Sequence, residues 1–192
     1  MPPDTDTSAA EVLLLARIGA GDRAAFRDLY ARYSAPLFSF ALRLVGDRAA
    51  AEELLQDAFI KIWRHAGDYD PRKSRPFTWT VTIVRRTCLD HLRARRSSPA
   101  FSPLSAETSN SIDFTTAETA RRSAEARETS QRVDQALRGI PGEQRRALEL
   151  ALFSEFTHAE IARQLAQPIG TIKSWIRRGL LDLRASLSEA QP

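Results

Sequence analysis

Glu53 and Asp57 stand four residues apart in an apolar-periodic stretch, a spacing that sets two carboxylates on one helix face, where they could hold a divalent cation. No histidine accompanies them at ligand spacing and no second acidic cluster completes a coordination sphere, so the sequence predicts no metal site. A face that docks on another protein is the better reading. His65, His91 and His158 are scattered and read as surface or capping residues. Cys88, the one cysteine, falls among apolar residues; it reads as a small core residue and cannot form an intramolecular disulfide. Glycine-rich phosphate loops, nucleophile elbows and zinc-protease motifs are missing, so neither catalysis nor a cofactor is expected.

A second set of residues suits polyanions. Residues 71–98 carry Arg72, Lys73, Arg75, Arg85, Arg86, Arg93, Arg95 and Arg96 against Asp90 alone, a net charge of +7 inside a chain whose total is only +4. Tyr69, Phe77 and Trp79 sit at the head of this segment. Aromatic rings can stack on unpaired bases while arginines follow phosphates, the combination expected of a surface that handles single-stranded nucleic acid. Core packing is at least as good a reading for Phe77 and Trp79 taken singly. Immediately upstream, residues 47–62 run the other way, with Asp47, Glu52, Glu53 and Asp57 against Arg48 and Lys61.

The elements that must position these groups are helical. Ala51, Leu54, Leu55, Ala58, Phe59, Ile62 and Trp63 recur at the i, i+3, i+4 spacing of one apolar helix face, behind Asp47 as N-cap. Val12 to Ile18, Ala25 to Tyr33 and Pro36 to Val45 read as earlier helices, interrupted at Gly19–Asp22 and ended by Gly46-Asp47. Phe77 to Arg96 is a long helix that begins apolar and ends basic. Residues 97–129 are Ser/Thr/Ala-rich, contain Pro99 and Pro103, and read as a flexible linker. Helices over Val133–Leu137 and Gln144–Phe153 follow, separated by Pro141-Gly142. The expected fold is all-α, two small helical domains over 11–96 and 130–187. No apolar run approaches the roughly 18 residues a membrane span needs, and the N-terminus lacks a signal-peptide layout. A cytoplasmic protein with no membrane insertion is expected.

Near the C-terminus, Thr157 and Glu160 form a capping-box pattern ahead of Ile161, Ala162 and Leu165. Pro168 stops that helix, and a second one follows with Ile172, Ile176, Leu180 and Leu183 on one face and Lys173, Ser174, Arg177, Arg178 and Arg184 on the other. Two helices joined by a short turn, the second basic near its N-terminus, describe a helix-turn-helix able to enter a major groove. A plain helical hairpin with a solvated polar face is the competing reading; the capping box and the grouped cations favour DNA.

In order and spacing, Ala50–Trp63, Tyr69-Asp-Pro, Phe77-Thr-Trp79, the basic helix, the linker and Thr157–Arg184 together resemble a bacterial extracytoplasmic-function (ECF) sigma factor, over about Val12 to Leu187. The resemblance implies a sigma region 2 at 11–96 that docks on core RNA polymerase, at the β′ clamp helices, through Glu53, Gln56, Asp57 and Lys61, with the β subunit as a further contact. It implies melting of promoter DNA and capture of the minus-ten element, with Asp70–Pro76 as specificity loop and Arg72, Lys73, Phe77, Trp79, Arg85 and Arg86 at or near the DNA. Region 4, 130–187, would read the minus-thirty-five duplex through Thr171, Lys173, Ser174, Arg177 and Arg178, and a separate anti-sigma factor would hold the protein inactive.

The chain departs from the family pattern in three places. Arg86 stands where Asn is common; Ala166 and Gln167 replace Gly and an aliphatic residue in the helix-turn-helix turn; Trp175 replaces a basic residue. Ala166 is thus placed where a positive φ is wanted. Two other functions compete: a stand-alone helix-turn-helix regulator of duplex operators, and a metal-dependent nuclease built on Glu53 and Asp57.

Overall fold

The computed structural model describes residues 4–97, 128, 131–154 and 156–189, and among them there are helices and connecting turns but no strand. The first block is α1 (Asp4–Gly19), α2 (Arg23–Val45), α3 (Arg48–His65), a 3-10 turn at Ala66–Asp68, and α4 (Pro76–Ser97). The second is α5 (131–138), α6 (Gly142–Phe153), α7 (His158–Gln164) and α8 (Ile169–Glu189). The stretch read as a flexible linker lies almost wholly outside the described residues.

Where the sequence suggests two helices at Ala25–Tyr33 and Pro36–Val45, the chain runs as one, with Pro36 inside it. Proline removes one backbone bond and crowds the preceding turn, at a cost of about 3 kcal/mol in a helix interior. Tyr33, Pro36, Leu37 and Phe40 nevertheless share a single buried stripe, and seating that stripe against the neighbouring helices outweighs the local penalty. The ends of α2 follow the sequence more closely. The Asp22 side chain accepts from the Ala24 and Ala25 N–H groups, and Gly46 closes the helix at φ 73°.

Asp47 caps α3 through the Ala50 N–H, and the apolar face of α3 is buried as its spacing requires. α1 lies so close to the 3-10 turn that a Cβ at Gly19 would stand 2.9 Å from the Gly67 Cα. α8 approaches α6 in the same way, with Gly179 against Leu148. Buried side chains from Leu14 to Leu187 form one continuous apolar cluster, so the two blocks share a core across their boundary.

Candidate nucleic-acid interface

Three groups of side chains make up the site. The first is the outer face of α3, where Glu52, Glu53, Gln56, Asp57 and Lys61 are all exposed. Their exposure follows from the buried positions Leu54, Leu55 and Ala58 turned the other way. Lys61 leans from this face onto α4 and donates to the Thr87 hydroxyl at 3.0 Å. Beside Gln56 and Glu52, a shallow groove of about 270 Å³ between α2 and α3 is lined by Tyr30, Ser34 and Phe38. Tyr30 is 46% exposed there, a large aromatic on the acidic face that helix periodicity alone does not single out. Among the described residues no group of three or more His, Cys, Asp or Glu side chains could hold a metal.

The second group is the loop before α4 and the start of that helix. Tyr69 donates its hydroxyl to the Ser74 carbonyl at 2.7 Å, and its ring packs against Trp79 with centroids 5.5 Å apart. Asp70 accepts from the Arg72 backbone N–H and from the Arg72 guanidinium, which holds the Asp70 carboxyl below the usual range. The loop is thereby fixed while Arg72 and Lys73 stay exposed. Trp79 is half-buried. Phe77 is only 4% exposed and meets Tyr33 edge-on at 5.2 Å, so its ring is the buried foot of α4. Arg86 is exposed, whereas Arg85 reaches the second block and donates to the Leu152 carbonyl at 3.1 Å and to the Ser154 carbonyl. These carbonyls end α6, where a cation is favoured by the helix dipole.

The third group is the helix-turn-helix. Thr157 and Glu160 complete the capping box: the Thr157 N–H donates to the Glu160 carboxylate at 2.7 Å, and the Glu160 N–H donates to the Thr157 hydroxyl. The turn bends at Ala166, whose φ is 52°, the left-handed conformation expected there. On α8, Lys173, Arg177 and Arg178 are exposed, Thr171 and Ser174 are half-buried, and Arg178 donates to the Ser174 hydroxyl at 3.3 Å. Trp175 is half-buried and packs on the core.

The second and third groups face each other. Lys73, Arg75, Arg85, Lys173, Arg177 and His158 line one cavity of about 600 Å³ between α4 and α8, and among the described residues no acidic side chain lines it. Partial burial, with Lys173 and Arg85 adding positive potential, lowers the His158 pKa below its ordinary 6.5.

Residues 29–98 match the family model for sigma-70 region 2, and residues 130–183 match that for sigma-70 region 4. An ECF RNA polymerase sigma factor SigK of Mycobacterium ulcerans is 32% identical over 174 residues, covering 91% of both chains. The chain belongs to the ECF sigma factors. A second SigK, from Mycobacterium tuberculosis, is 28% identical over 180 residues, again covering 91% of each chain. Among solved structures, Rhodobacter sphaeroides SigE in complex with the anti-sigma ChrR is 27% identical, with 88% of this chain and 96% of that one covered and a TM-score of 0.49.

In this ECF sigma factor, Arg184 lies elsewhere than the sequence places it. Its spacing puts it on the outer face of α8, yet it inserts into the first block, donating to the Glu11 carboxylate of α1 with its guanidinium over the Tyr33 and Phe77 rings. Glu11 itself is buried. Sequence reasoning passed over it, although Glu11, Leu14, Leu15 and Ile18 fall at i, i+3, i+4 and i+7, a carboxylate within an apolar stripe.

Proposed function

We propose that this ECF sigma factor binds core RNA polymerase through the exposed acidic face of α3 and divides promoter recognition between its two blocks. Region 2, 11–96, docks on the β′ clamp helices with Glu53, Gln56 and Asp57, with Lys61 at the edge of the face and Tyr30 extending it. The separation of charge supports this reading: α3 carries an exposed acidic face, and the loop before α4 holds Arg72 and Lys73 exposed in the same block. Base contacts specify and phosphate contacts position. The loop Asp70–Pro76 presents Arg72 and Lys73 to the minus-ten strand, with Trp79, Arg85 and Arg86 alongside and Phe77 supporting them from the core. Thr171, Lys173, Ser174, Arg177 and Arg178 of region 4, 130–187, read the minus-thirty-five duplex. The protein performs no catalysis of its own, acts in the cytoplasm, and is restrained by an anti-sigma factor. Asp57→Lys tests the docking face in a core-polymerase pull-down with the full chain. Loss of polymerase binding with unchanged thermal stability supports it; undiminished binding removes this face from the account.

A further inference from the structure

We propose that the cavity between α4 and α8 is a binding site for a nucleoside polyphosphate, with the phosphates held by its cations and the base stacked on Phe156. At about 600 Å³ the cavity falls within the range of about 300–1,000 Å³ typical of small-ligand pockets. Lys73 and Arg75 enter it from the loop before α4, Arg85 from α4, and Lys173 and Arg177 from α8. Among the described residues no carboxylate lines the cavity, and none forms an ion pair with Arg75, Lys173 or Arg177. The remaining lining includes Val81, Leu152, Ile176 and Leu180, all buried. Charges of one sign gathered in a cleft with apolar walls focus a positive potential that a compact polyanion neutralises.

The chemistry of the lining selects phosphate and then a base. Arginine forks match phosphate oxygens two at a time, and lysine meets them as a point charge. Cations that arrive from both helices suit a chain of linked phosphates better than a single one. Ser74 and Thr78, half-buried in the lining, add hydroxyls, whereas the Thr82 hydroxyl is already given to the Thr78 carbonyl. Partial burial, followed by the charges of Lys173 and Arg85, lowers the pKa of His158, so that its ring is neutral near pH 7 and the cations alone supply the field. Phe156 is 42% exposed and lies in the same lining. An exposed ring beside phosphate-binding cations offers a stacking face, and because every base has a π-face the site accepts different nucleotides. Phe156 belongs to neither promoter-reading set, so the ligand site can be tested apart from promoter DNA.

The test is calorimetric titration of the full chain, without DNA or polymerase, with ATP, GTP and inorganic tripolyphosphate at fixed salt. Each probe should saturate at one molecule per chain. Arg75→Ala should weaken all three about tenfold, the effect of losing one charge-assisted hydrogen bond. Phe156→Ala should weaken ATP and GTP about tenfold and leave tripolyphosphate unchanged, which a loss of charge or of fold would not do. Arg146→Ala removes the same charge from an exposed position on α6 outside the cavity and should change none of them. Where Arg75→Ala lowers thermal stability, Lys173→Ala on the exposed face of α8 takes its place. Absence of binding, binding that never saturates, or equal weakening by Arg146→Ala overturns the proposal, as does a Phe156→Ala variant that binds ATP like the unaltered chain. Neither polymerase nor promoter is present, so failure here leaves the sigma-factor reading standing, and the reverse holds as well.

Discussion

Arg184, near the end of α8, is held against the first block by the buried carboxylate of Glu11, 173 positions earlier in the chain. A buried ion pair is expensive to desolvate and more expensive to break, because removing one partner strands the other's charge at about 3–5 kcal/mol. Arg184→Met leaves Glu11 in that position, and separation of the two blocks is the way to rehydrate it. Calorimetry of the unaltered chain should show one transition, as one continuous core requires. The Arg184→Met variant should show two, and Glu11→Leu with Arg184→Met should restore one, because two apolar side chains can fill the same space.

Arg177 and Arg178 follow one another on the exposed part of α8. Counterion release gives a salt slope of nearly one per neutralised phosphate, so replacing both with Ala should lower the slope for duplex binding by about one to two. Fluorescence anisotropy across a salt series checks this. An unchanged slope means that these side chains do not meet phosphate.

Ala166 takes a conformation that costs an L-residue about 1–2 kcal/mol and glycine almost nothing. Ala166→Gly should therefore raise stability by about 1 kcal/mol in urea unfolding, while Ala166→Val should lower it. The same substitution tests whether the strained turn sets the angle between α7 and α8, since relief without any change in duplex affinity assigns the strain to stability alone.

Partial burial and the nearby Lys173 and Arg85 lower the His158 pKa below 6.5, with Lys73, Arg75 and Arg177 lining the same cleft. The folded protein therefore binds this proton less readily than the unfolded chain. The resulting stability is complete above pH 6.5 and is lost as pH falls from there toward the lowered value. NMR titration should place His158 below 6.5 and move it upward in Lys173→Ala, and stability at pH 5.5 should fall short of that at pH 7.5.

How much of this was legible in the chain depends on the range of the interaction. Local rules found the Asp47 cap, the Thr157–Glu160 box and the apolar face of α3, because each is settled within four or five residues, whereas the positive φ at Ala166 came only from the family pattern of the turn. Pro36 misled for the same reason: its local penalty is real, and only packing of the stripe from Tyr33 to Phe40 overrides it. Arg184 was assigned to the outer face because helix phase says which side a residue occupies and not what covers that side. Its partners come from α1, α2 and α4, a relationship that no spacing within α8 encodes. Tyr30 joined the acidic face only once α2 and α3 were set side by side.

The central claim is that this chain redirects RNA polymerase. Run-off transcription with purified core polymerase and the full-length protein over a promoter library tests it most directly. The account predicts initiation at a defined subset of promoters sharing minus-thirty-five and minus-ten elements, absent without the protein and abolished by Asp57→Lys. Tight binding of specific duplexes by the protein, with no polymerase association and no promoter-dependent transcript, would contradict it.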